Sequence, residues 1–111
     1  PAVRRVYRAF VLDFVPRHLP PIRERIGELR RTAADPRRHP EERQLARLQM
    51  VVLRHVPFTV LRGLCLDPAA SSADDVLPWL SRRSFDTAEV LALADSSPLA
   101  AERQPEQLGR S

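Results

Sequence analysis

Apolar residues fall at helical spacing along most of the chain, and the longest such stretch is Glu41 to Leu66, EERQLARLQMVVLRHVPFTVLRGLCL. Leu45, Leu48, Val52 and Val56 recur on one helical face there. Ala46, Met50 and Leu53 widen that face beyond the usual stripe, leaving Arg43, Arg47 and Arg54 to mark the water side. A helix this apolar belongs at the centre of a fold, so Glu41–Val56 is read as the central helix. Pro57 removes a donor and crowds the preceding turn, which predicts a break and a new short helix from Phe58 to Leu66 at an angle to the first.

Around this centre the pattern places shorter helices. Residues 2–15 form an amphipathic segment with Val3, Val6, Tyr7, Phe10, Val11 and Phe14 on one face and Arg4, Arg5 and Arg8 on the other, and Pro16 is expected to stop it. Pro20 and Pro21 suit the opening of a second helix, whose narrow stripe is Ile22, Ile26, Leu29 and Ala33. Ala34 to Pro40 reads as a polar loop. Ser72-Ala-Asp-Asp75 and Asp86-Thr-Ala-Glu89 fit capping boxes. The first predicts a helix through about Arg83 with Val76, Trp79 and Leu80 inside; the second predicts one with Val90, Leu91 and Ala94 inside. Pro98 suits one last turn. Period-two alternation is missing throughout. The expectation is an all-α bundle of five or six short helices around a central apolar helix, an arrangement that would also suit a fragment of an α-solenoid. A single domain over 1–104 and a frayed tail over 105–111 complete the reading.

Composition changes this picture in two ways. All 18 basic residues are Arg, and neither Lys nor Asn occurs, which resembles the product of a GC-rich coding sequence and discounts part of the arginine surplus. The surplus is nevertheless uneven. Residues 1–56 carry 13 Arg against 6 acids and residues 57–111 carry 5 against 8, so the first half offers a face to an acidic partner or to the second half. No run is apolar enough to cross a membrane, so no membrane partner is expected. The chain starts at Pro1 rather than Met, which suggests a domain of something longer. The lone Cys65 cannot form an internal disulfide, so an intracellular setting is expected, with cytoplasm and nucleus indistinguishable.

Candidate chemistry is sparse. His18, His39 and His55 lie 21 and 16 residues apart and Cys65 follows His55 by 10, spacings that match no compact zinc motif. Cys65, between Leu64 and Leu66, reads as a buried, inert thiol rather than a nucleophile based by His55. Glu41/Glu42 and Asp74/Asp75 sit at helix starts, where capping and the helix dipole explain them. Only Gly27, Gly63 and Gly109 exist, too few for a phosphate cradle. No enzyme, metal or cofactor is expected.

The remaining classes are binding modules. Arg23, Arg30, Arg37 and Arg38 could neutralise phosphates, but no exposed aromatic platform accompanies them, and a solvated arginine face is the plainer explanation. The preferred reading is a helical protein–protein interaction module that binds an acidic, amphipathic segment or a second copy of itself. Uncovered apolar surface on the central helix carries that reading. The contact is placed at Arg47, Val51 and Arg54, with Trp79, Arg82 and Arg83 as a second site, although a place in the core is the plainer reading of Trp79.

Overall fold

The computed structural model describes residues 2–82 and 84–96; the expected last turn at Pro98, the 105–111 tail and Arg83 lie outside them. The described residues are helical with no strand among them, as the periodicity requires. The elements are α1 (Ala2–Tyr7), a π-helical segment (Arg8–Phe14), α2 (Val15–Ala34), α3 (Pro40–Leu66), a single turn α4 (Ala73–Val76), a 3₁₀ turn (Pro78–Ser81) and α5 (Thr87–Asp95). Two long rods dominate, not a ring of short helices. The first, from Ala2 to Ala34, is continuous through Pro16, Pro20 and Pro21, and the second is α3, continuous through Pro57.

Proline fails to break the first rod for a local reason. The Val15 N–H donates to the Phe10 carbonyl, five residues back, so the wider π turn makes room just ahead of Pro16. Pro20 and Pro21 lie within α2, and both are exposed. The carbonyls they leave without an intrahelical donor, those of Pro16 and Arg17, belong to exposed residues and can bond to water. The extra residue in the π segment also shifts the phase of the buried stripe. Ala9 and Phe14 are buried and Val6 and Phe10 half-buried, while Val3, Tyr7, Val11 and Leu12 face water, against the expectation of one shared face.

A tight turn reverses the chain between the rods. The Asp35 carboxylate accepts the Arg37 N–H at 3.0 Å, and His39 Nδ1 accepts the Glu41 N–H at 3.1 Å as the side-chain cap of α3. Arg43 does not mark the water side: its Nε donates to the Ala33 carbonyl at 3.1 Å and ties the two rods at the turn.

α3 is the central element, packed by α1, the π segment, α2, α4 and α5. Its buried positions are Ala46, Gln49, Val52, Leu53, Val56, Val60 and Leu64, a stripe at helical spacing that runs straight through Pro57. Leu45 and Leu48, expected inside, stand at the flank and are exposed. The core they border includes Phe14, Ile22, Leu29, Leu80, Val90 and Leu93.

The second half of the chain folds back onto α3. Gly63 admits it: a Cβ there would overlap Val76 Cγ1 and lie 3.1 Å from Cγ2, so α4 can approach α3 only over hydrogen. The Ser72/Asp75 capping box is present, but the helix it opens lasts one turn instead of reaching Arg83. Pro78 lacks the N–H that the next turn requires, and the chain continues as a 3₁₀ turn. Trp79 is buried there, edge-on to Phe85 with ring centroids 5.2 Å apart. Asp86 caps α5 by accepting the Ala88 N–H at 2.9 Å, and buried Gln49 donates to Thr87 Oγ1 at 3.2 Å, pinning α5 to α3.

Candidate functional site

Helical geometry turns each residue about 100° from the last, so the face of α3 opposite its buried stripe is set by the stripe itself. That outward face carries Arg47, Val51, Arg54, Phe58, Arg62 and Cys65, spaced four, three, four, four and three, and all six are exposed. Leu61 stands beside it. Phe58 is 69% exposed and Val51 39%, and Leu66 at the end of the helix is 71% exposed. His55 leans on Phe58 with ring centroids 6.3 Å apart. Phe58 and Leu66 are mostly in water and Val51 and Leu61 partly so, which leaves four large apolar side chains with uncovered surface on one helix.

The charge of this face is of one sign. Between Glu42 and Asp67 the chain has no carboxylate. Arg47 donates to Gln44 Oε1 at 3.1 Å, a neutral acceptor. The Arg54 and Arg62 side chains make no hydrogen bond or ion pair with any described residue. Their guanidinium groups keep all five donors free on either side of an exposed phenyl ring.

The sequence-derived first site, Arg47, Val51 and Arg54, therefore lies together on one exposed face. The same reasoning missed Phe58, Leu61, Arg62 and Leu66. The signal was available: continuing the 47, 51, 54 series by helical steps reaches 58, 62 and 65, but reading Pro57 as a break cut the series short. Cys65 is a correction. It is exposed, because adjacent residues on a helix point to different sides and its neighbour Leu64 takes the buried one. It also lies ten residues beyond His55 on the same helix, about 15 Å along the axis, too far for a nucleophile and its base.

The second sequence-derived site does not form a free surface. Trp79 is core, Arg82 is ion-paired with Glu89, and Arg83 falls outside the described residues. The nucleic-acid candidates are also divided. Arg23 and Arg30 are exposed on α2, but Arg37 and Arg38 are drawn onto carboxylates, Arg37 onto Asp35 and Arg38 onto Asp35 and Glu42.

One other polar cluster is built around a buried histidine. His18 Nε2 lies 3.0 Å from Asp74 Oδ1, and Arg17 bridges Asp13 at 2.8 Å and Asp74 at 2.7 Å. Burial, and then the neighbouring Arg17 charge, hold His18 below its ordinary pKa against the opposing pull of Asp74. The neutral ring donates Nε2–H to the carboxylate, joining α2 to α4. A cleft lined by Arg17, His18, Ser81, Arg82 and Phe85 adjoins this cluster, yet both of its arginines are already neutralised by carboxylates. Among the described residues no group of His, Cys, Asp and Glu could hold a metal ion, and no helix is long and apolar enough to cross a membrane. No protein-family model matches the chain, and no curated protein sequence or solved structure matches it either.

Proposed function

We propose that this chain is a non-catalytic, helical protein-binding module, and that its contact surface is the outward face of α3. The observation carrying the reading is Phe58, 69% exposed in the middle of a long helix between two arginines that no described carboxylate engages. An aromatic side chain flanked by arginine is the composition favoured at the energetic centre of protein interfaces. The buried side of α3 supplies the core, and the six residues of the outward face are all exposed. Phosphate binding is disfavoured, because the apolar side chains between the arginines gain nothing from a polyanion and Arg37 and Arg38, two of the four phosphate candidates, are paired with carboxylates.

The test is a photoreactive amino acid placed at Phe58 and, separately, at Arg23 on α2, each expressed in the native host. A discrete protein adduct from position 58 that is absent from position 23 is expected. Equal, diffuse labelling from both positions refutes the assignment of the face.

A further inference from the structure

The outward face of α3 also specifies the chemistry of its partner, an inference that rests on the protein-binding reading above. We propose that the partner is an acidic amphipathic helix, with carboxylates seven and eight residues apart bracketing its apolar stripe, and not a second copy of this chain.

The charge pattern opposes self-pairing along this helix in the two antiparallel registers that bury Phe58 on an apolar residue of the second copy. An antiparallel pair that seats Phe58 on the second copy's Val51 sets Arg47 opposite Arg62 and Glu42 opposite Asp67. A pair centred on Phe58 sets Arg54 opposite Arg62. In either register like charges meet, and no carboxylate between Glu42 and Asp67 is available to separate them. Juxtaposed like charges at an interface cost several kcal/mol. A partner bearing carboxylates reverses the sign of each of these contacts.

The spacing sets the register. Arg47, Arg54 and Arg62 are seven and eight residues apart, about two turns of helix each, so they span about 22 Å of the outward face, with Arg47 and Arg54 on one flank of Phe58 and Arg62 on the other. A helix packed along α3 at a small crossing angle presents its own two-turn repeat to the same face. Carboxylates at that repeat receive the guanidinium forks, while the apolar residues between them cover Val51, Phe58 and Leu61. Each arginine can lay its stem over the apolar neighbours as its head pairs bidentately with the partner's carboxylate.

The experiment uses the full chain, a helical peptide of roughly 18 residues with a leucine stripe and glutamates at the seven- and eight-residue spacing, and two further peptides with glutamine or lysine in place of glutamate. Affinity is read by fluorescence anisotropy and self-association by sedimentation equilibrium, with circular dichroism checking the fold of each variant. The glutamate peptide is expected to bind and the glutamine peptide to bind about tenfold or more weakly. Arg54→Glu with Arg62→Glu should lose about a hundredfold for the glutamate peptide and gain binding to the lysine peptide. Equal binding of the glutamate and glutamine peptides overturns the acidic partner while leaving the face as a protein-binding surface. So does a dimer that Phe58→Asp dissociates. Binding of a duplex oligonucleotide that Arg54→Glu abolishes and Phe58→Ala leaves unchanged overturns both readings in favour of nucleic acid. A monomer that binds none of these probes overturns the acidic helix, and position-58 crosslinking then decides whether the face survives as an interface.

Discussion

Gly63 to Ala tests whether the second half of the chain is seated on α3 as described. Two effects of opposite sign meet at this position. Alanine inside a helix is favoured over glycine by about 1 kcal/mol, so an exposed site would gain stability. Here the new methyl would overlap Val76 Cγ1 and stand 3.1 Å from Cγ2, and the crowding must displace α4 or strain the valine. Overpacking of this kind costs about 1–3 kcal/mol, which leaves a net loss of roughly 1 kcal/mol. Removing both γ-carbons with Val76→Ala relieves the overlap but retains the Val76 Cβ, 3.3 Å away, which has to yield by only a little. In that background Gly63→Ala should be neutral or stabilising. The four chains of this cycle, unfolded in urea and followed by circular dichroism, should show a coupling of about 1–2 kcal/mol between the positions. Stabilisation by Gly63→Ala of about 1 kcal/mol in both backgrounds would refute the packing of α4 on α3.

Three further outcomes follow from the same architecture. Pro57→Ala should stabilise the fold by about 1–3 kcal/mol in urea titration, since the helix already runs through this residue and gains a hydrogen bond; a loss of stability would mean that the proline sets a bend the fold needs. His18 is held below its ordinary pKa, so the unfolded chain takes up a proton that the folded chain resists. Stability should therefore be level above about pH 6.5 and fall as the pH drops below it, and His18→Gln should remove that component of the slope; an unchanged slope would contradict the burial of the ring. Trp79→Ala should cost about 3–5 kcal/mol, because the ring is core against Phe85; a change near zero would return Trp79 to the surface.

The helical class was legible because apolar residues recur at helical spacing within each long segment, and the two capping sequences at Ser72 and Asp86 do open helices. The positions of the breaks were not legible. Proline at 16, 20, 21 and 57 predicts ends, yet whether a proline ends a helix depends on what else satisfies the carbonyl it abandons. A π turn before Pro16 and exposed carbonyls behind Pro20 and Pro21 are properties of the assembled rod, invisible in residue order. The same limit hid the site. Arg47, Val51 and Arg54 were visible as a mixed stripe, whereas Phe58, Leu61 and Arg62 joined it only once α3 was known to be continuous. Cys65 shows the complementary error: the apolar run Leu64-Cys65-Leu66 predicts burial of every member, but a helix shares a run between opposite faces, and Leu64 took the inside. Trp79 was legible as core, inward with Val76 and Leu80, and it is buried, whereas the surface role offered for Trp79 with Arg82 does not survive the pairing of Arg82 with Glu89.

Cys65 supplies the most direct measurement, because it stands on the outward face in line with Phe58 and needs no mutation. Its alkylation rate should be nearly as fast in the native chain as in denaturant. Saturating acidic amphipathic peptide should slow it several-fold, and the lysine-substituted peptide should not. A thiol that is slow in the native chain would show that the outward face of α3 is covered, and a fast thiol indifferent to bound peptide would show that the partner lies elsewhere. Either result contradicts the account.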